Sequence, residues 1–208
     1  MAVTIKKIRE QVTDMKYYQE LTLIAQAEVS LYFIWSKVYT QLHLALVAMP
    51  TQGNVGVSFP EYVYKEEDGK AFGFLGSKIR LFAHDEATLQ QLNITQALSR
   101  LSDYVHITGI RPVPKNVTYA IYKRYQPTVT KAERVKLQAA RHQVSIETAL
   151  AHFEQYVEKK HHLPFIQLES LSNEQRFKLF VSKHTAAEAC DGKFGSYGLG
   201  VIATVPEF

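Results

Sequence analysis

The sequence predicts an α+β protein in which a β-α-β-β-α-β unit is followed by a second α/β unit carrying a basic helix and a glycine-rich C-terminus. Three observations lead there. Period-two and period-3.6 apolar patterns alternate up to Val113, the pattern becomes irregular from about Pro114, and the net charge differs between the two halves.

Residues 1–16, beginning MAVTIKKIREQVTDM, mix charges with no apolar run, so they read as an extension outside the core and not as a secretory signal. From Tyr17 to Gln26, YYQELTLIAQ alternates apolar and polar side chains as a half-buried strand does. Ser30 caps a helix whose Leu31, Trp35, Val38, Leu42, Ala45 and Met49 recur at helical spacing. PTQGN at 50–54 stops that helix, and Val55 to Phe59 is a second strand closed by Pro60. A polar stretch with Gly69, Gly73 and Gly76 leads to a third strand at Ser77 to Ala83; its acidic residues Glu66, Glu67 and Asp68 read as a solvated loop. Asp85 caps a second helix with Leu89, Leu92, Ala97, Leu98 and Leu101 as its apolar face, and Tyr104 to Val113 is the fourth strand. This order over residues 17–113 is the split βαβ, or ferredoxin-like, arrangement. Residues 114–208 form the second unit: a basic helical stretch Lys131 to His142, a further helical stretch to about Lys159, a strand pair around Phe165 to Leu168 and Arg176 to Ser182, and the glycine-rich end.

The chain has 208 residues, 46% hydrophobic and 21% charged, which excludes disordered and low-complexity classes. One cysteine, Cys190, makes neither an internal disulfide nor a thiolate metal set and points to a reducing, cytoplasmic compartment. No apolar run reaches the ~18 to 20 residues of a membrane helix. The net charge of +4 is unevenly placed. The first 104 residues hold ten basic and eleven acidic side chains, the remainder fourteen and nine, and Arg111 to His142 holds eight basic residues against Glu133 alone. Such a segment fits a polyanion, nucleic acid before an acidic membrane, although a solvated helix face has the same composition.

Single features are ambiguous. Gly192, Gly195, Gly198 and Gly200 around Phe194 and Tyr197 would let backbone approach phosphate, or simply build a C-terminal hairpin. His43 lies off the main apolar stripe of the first helix, on the flank of Tyr32, Tyr39 and Val47, where a packing role serves as well as a chemical one. Ser170 and Ser172 interrupt two strand-like runs and suit a turn, and Phe177 suits a core. His161 and His162 have no partners at ligand spacing and no HExxH or CxxC occurs, so neither a metal nor another cofactor is expected.

Taken in order, LHLALV with His43, GVSFP at Gly56 to Pro60, RYQ at Arg124 to Gln126, LPF at Leu163 to Phe165, SLSNEQRFKLF at Ser170 to Phe180 and SYGL at Ser196 to Leu199 resemble the type I-F CRISPR-associated repeat-cleaving endoribonucleases, the crRNA-processing Csy family. The resemblance runs from about Tyr17 to Phe208. It implies a metal-independent enzyme that binds the hairpin of CRISPR repeat RNA, cuts at the 3′ base of the stem and stays on the product within a surveillance complex. The ribose 2′-hydroxyl is then the nucleophile, and the products are a 2′,3′-cyclic phosphate and a 5′-hydroxyl.

Carried over by motif, His43 is the general base, Ser170 holds the attacking ribose and Tyr197 orients the histidine. An imidazole, with an ordinary pKa of about 6.5, is suited to take a proton at neutral pH. Arg124 and Gln126 match the residues that read the bottom of the stem, Phe177 an aromatic stacking on a base beside the cut, and Ser172 a second hydroxyl touching RNA there. Lys131, Arg134, Lys136, Arg141 and His142 line the helix that meets the phosphate backbone. That helix, KAERVKLQAARH, departs from the arginine-dense pattern of the family by placing Leu137 and Ala140 where arginines are expected. A different class, a hairpin-binding subunit that does not cut, would have no need for His43, Ser170 and Tyr197 together.

Overall fold

The structure, a computed structural model, describes residues 14–67, 70–127, 131–154, 162–170 and 174–208. It divides into two compact units, one made of the described residues up to Tyr125 together with Leu163–Phe208, the other of Gln126–His162.

In the larger unit a first sheet contains β1 (Tyr17–Leu23), β2 (Gly56–Ser58), β5 (Lys78–Ala83), β6 (Val105–Ile107) and β7 (Arg111–Pro112). The order is β2-β5-β1-β6, with β7 also on β1, and every pairing is antiparallel. Leu21 and Leu23 alternate inward along β1 as the sequence pattern requires. Gln19 shares that face, and its amide is satisfied by the Thr108 carbonyl at 2.8 Å. Helix α1 (Leu31–Ala48) starts at Ser30, whose hydroxyl accepts from the Phe33 amide, and buries Ile34, Trp35, Val38, Tyr39, Leu42 and Leu46. Asp85 caps α2 (Glu86–Leu92).

A second antiparallel sheet has the order β11-β8-β10-β9, from β8 (Thr118–Tyr125), β9 (Phe165–Glu169), β10 (Arg176–Ala186) and β11 (Val205–Glu207). The division expected after Val113 does not separate two cores. Leu21, Ile79 and Leu81 of the first sheet, Tyr122, Ile166, Leu179 and Val181 of the second, and the buried stripe of α1 form one cluster. The helix packs against β9 as well as against its own sheet, so the compact unit follows packing across the chain and not chain order.

Other departures have local causes. Two further strands, β3 (Val63–Glu67) and β4 (Lys70–Phe74), pair antiparallel, so Glu66 and Glu67 stand on a strand and not in a loop, while Asp68 lies outside the described residues. All five residues of β3 are exposed, which removes the alternation that signals a strand. The second helix breaks at Asn93, left-handed at φ 43°, into α2, α3 (Ile94–Ala97) and a 3₁₀ turn at Ser99–Leu101. The expected fourth strand splits into β6 and β7 beyond Thr108, whose hydroxyl accepts from the Glu20 amide. The N-terminal extension joins the core already at Met15, which is buried.

The smaller unit holds α4 (Lys131–His142) and α5 (Ile146–Ala151), capped by Ser145 and separated by Gln143 at φ 53°. Val135, Ala139 and Ala149 are buried, with Phe153 against them. The helical stretch expected to Lys159 ends at Ala151, with His152 to Glu154 in a turn, and the remainder lies outside the described residues. Among the described residues no helix is long and apolar enough to cross a membrane.

Glu20 links the first sheet electrostatically. It bonds Arg80 at 2.7 Å and Lys78 at 3.1 Å. Burial opposes its charge, but hydrogen bonds and attraction from Arg80 and Lys78 together outweigh that and hold the carboxyl below its ordinary 4.5. A depressed folded-state pKa stabilises the protein above the unfolded value and ceases to do so as pH falls through the folded one. Glu20→Gln should therefore cost about 1 to 3 kcal/mol near pH 7 in urea unfolding. The difference from wild type should shrink as the pH is lowered below about 4.5.

Candidate functional site

The site is built where α1 meets the C-terminal turn. His43 is half-buried on α1, and its Nδ1 lies 2.8 Å from the carbonyl oxygen of Ser196. A carbonyl only accepts, so Nδ1 carries the hydrogen, and in the neutral ring the lone pair is on Nε2. The Tyr197 ring stacks on the imidazole, centroids 4.2 Å apart and planes 16° from parallel. Tyr39, expected on the same outer flank, is fully buried one turn earlier, and its hydroxyl donates to the Tyr197 carbonyl at 2.9 Å. The helix therefore turns a wider face inward than its apolar spacing indicates.

The turn itself is tightly specified. Gly195 N donates to Leu199 O and Gly198 N to Gly195 O, both at 2.8 Å, and Val57 N donates to Gly198 O at 2.8 Å. Gly198 has φ +70°, and a Cβ there would fall 2.2 Å from Val57 Cγ2. Only glycine fits both the backbone conformation and the contact.

A cavity of about 260 Å³ is lined by Thr40, His43, Leu168, Glu169, Ser170, Phe177 and Tyr197. It brings together His43, Ser170, Phe177 and Tyr197 from distant parts of the chain. Ser170 follows β9, where its amide donates to the Gln175 carbonyl at 2.9 Å and its carbonyl accepts from the Glu174 amide at 2.8 Å. Arg124, exposed near the end of β8, holds its guanidinium 5.4 Å from the Tyr197 ring centroid and 5.9 Å from that of Phe177. Phe177 is thus half-buried at the cavity wall, with a cation over it.

Gln126 is exposed just after β8, and Ser172 lies outside the described residues. On α4 of the smaller unit Lys136, Arg141 and His142 are exposed, while Lys131 and Arg134 are half-buried. Leu137 and Ala140, the positions that depart from the arginine pattern, are both exposed. Sequence reasoning missed Thr40, Leu168 and Glu169. Thr40 precedes His43 by three residues on one helix and Glu169 adjoins Ser170, so spacing from the recognised residues was the available signal. Glu169 faces Arg176 across the β9–β10 register at 3.9 Å, with both side chains largely exposed, a pair that contributes little to stability. Among the described residues no group of three or more His, Cys, Asp or Glu side chains converges as metal ligands do.

Two relatives, each named CRISPR-associated endonuclease Cas6/Csy4, come from Escherichia coli (strain UTI89 / UPEC) and Pseudomonas aeruginosa (strain UCBPP-PA14). The first is 29% identical over 196 residues and the second 29% over 198, each match covering 93% of this chain and 100% of the relative. The family model for the CRISPR-associated protein Cas_Csy4 matches residues 18–208, a span that includes every part of the cavity. The chain belongs to the Cas_Csy4 family of CRISPR-associated proteins.

Proposed function

We propose that this protein is an endoribonuclease that binds the stem-loop of CRISPR repeat RNA and cuts at the 3′ base of the stem to produce mature crRNA. The observation that carries this reading is the imidazole of His43, fixed through Nδ1 by the Ser196 carbonyl in a cavity shared with Ser170, Phe177 and Tyr197. The names of the two relatives support the same activity class.

In this reading Nε2 of His43 takes the proton of the ribose 2′-hydroxyl beside the scissile phosphate. The 2′-oxygen attacks phosphorus, the bond from phosphorus to the 5′-oxygen breaks, and that oxygen leaves with the electron pair and is protonated. A 2′,3′-cyclic phosphate and a 5′-hydroxyl remain. Ser170 holds the attacking ribose in line with phosphorus, where orientation lowers the barrier, and no metal takes part. Phe177 stacks on a base beside the cut, assisted by Ser172. Arg124 reads a guanine edge with its two-pronged guanidinium and Gln126 reads a neighbouring base.

The finer architecture follows the same reading. The antiparallel order β2-β5-β1-β6 with two helical connections supports a ferredoxin-like N-terminal domain. Helix α4 meets the stem phosphates through Lys131, Arg134, Lys136, Arg141 and His142, and the protein keeps its hairpin as one subunit of a cytoplasmic type I-F surveillance complex.

His43→Ala should lower single-turnover cleavage of a labelled repeat hairpin by about 10²- to 10⁴-fold, with the gel shift retained and wild-type cutting undiminished in EDTA. Wild-type rates in that variant would remove His43 as the base. An absolute magnesium requirement would remove the metal-free step, and RNA shifted but never cut by the wild type would point to a hairpin-binding subunit. A single 2′-deoxy substitution at the cut site should leave binding intact and abolish cleavage. Lys136→Ala and Arg141→Ala should each flatten the slope of log affinity against log salt by about 0.7 to 0.9 in filter binding. Their cleavage rates at saturating protein should match wild type.

A further inference from the structure

Three consecutive carbonyls of the C-terminal turn are each held by a donor from elsewhere in the larger unit. Ser196 O accepts from His43 Nδ1 at 2.8 Å, Tyr197 O from the Tyr39 hydroxyl at 2.9 Å, and Gly198 O from Val57 N at 2.8 Å. Two of the three donors, Tyr39 and His43, stand one helical turn apart on α1, so they reach neighbouring carbonyls of the turn. The rings continue the arrangement. Tyr39 lies nearly parallel to Tyr197, centroids 6.5 Å apart and planes at 12°, and Tyr197 in turn stacks on His43.

We propose that Tyr39 is a positioning residue for the cleavage reaction: its hydroxyl fixes the carbonyl of Tyr197, and through the adjoining peptide fixes the Ser196 carbonyl that selects the His43 tautomer. This rests on His43 being the base. Tyr39 is fully buried. Burial first, and the neighbouring Tyr197 second, raise the phenol well above its ordinary pKa, so the hydroxyl keeps its proton and remains a donor. Without it the Tyr197 carbonyl loses this buried partner and the peptide that carries Ser196 O gains rotational freedom. An imidazole with a loosened acceptor at Nδ1 populates the tautomer protonated at Nε2, in which Nε2 has no lone pair to take the ribose proton.

The test compares Tyr39→Phe, which keeps the ring and removes only the hydroxyl, with Tyr122→Phe. Tyr122 is a second buried tyrosine, whose hydroxyl bonds Phe59 O and Glu207 and does not touch the turn. Nitrogen-15 NMR of the imidazoles, with the His43 signals identified by their loss in His43→Ala, reads the tautomer directly. The expected result is an Nε2-protonated fraction at His43 in Tyr39→Phe and single-turnover cleavage about 3- to 10-fold slower, with hairpin affinity unchanged. Tyr122→Phe should lose thermal stability and keep both the wild-type tautomer and the wild-type rate below its melting transition.

An unchanged tautomer and rate in Tyr39→Phe would overturn the proposal. So would equal slowing in both variants, because the hydroxyl would then serve stability alone. Either result leaves the assignment of the base standing if His43→Ala is inactive, whereas an active His43→Ala removes the base itself.

Discussion

The hydrogen bond from His43 to Ser196 joins positions 153 residues apart, and the geometry of the cavity depends on it. It requires a long helix that begins at Ser30 and a turn that reverses at Gly198, both seated on the same core. Neither sheet supplies that seat alone. The first sheet contributes Val57, whose amide holds the turn, and the second contributes Phe177 and the start of the Ser170 segment. A site assembled this way is sensitive to any change in how the two sheets pack, which gives the shared core a direct bearing on chemistry.

Aromatic and charged groups around the cavity divide the work between shape and electrostatics. Tyr197 meets His43 on one side, and the Arg124 guanidinium lies over Tyr197 and Phe177. Rings restrict the imidazole without competing for its nitrogen, since a stacked face offers no donor. Arg124 places positive charge beside two rings of the cavity wall, and Glu169, another lining residue, faces Arg176.

How much of this was legible in the sequence follows from what each signal measures. Strand and helix positions with a clear period, such as Leu21 and Leu23 or Trp35, Val38 and Leu42, were readable because one face is buried. The pairing of β3 with β4 was not, because β3 is exposed along its whole length and so shows no alternation. His43, Ser170, Phe177 and Tyr197 were named from short ordered motifs, and the structure gathers them in one cavity. Thr40 and Glu169 escaped because ordinary residue types carry no message until their neighbours in space are known. The full burial of Tyr39 was not readable for a related reason: it lies off the main apolar stripe of the helix, and the turn that covers it arrives from the far end of the chain.

The register of the second sheet has a consequence for modularity. Tyr125 and Phe165, the residues between which the smaller unit is inserted, both pair with Phe180 on β10, one from each side. The two points where the chain leaves and re-enters the sheet are therefore separated by two strand spacings, about 10 Å, a gap that three or four residues can bridge. Any longer connection meets the same closure condition, so the rung at Phe180 sets no upper limit on the size of the insertion. The helical segment is thus separable in sequence from the sheet that contributes to the cavity. A segment can be exchanged between these two points, as a tool takes a different bit, while the strands that carry Phe177 and Leu168 stay in register.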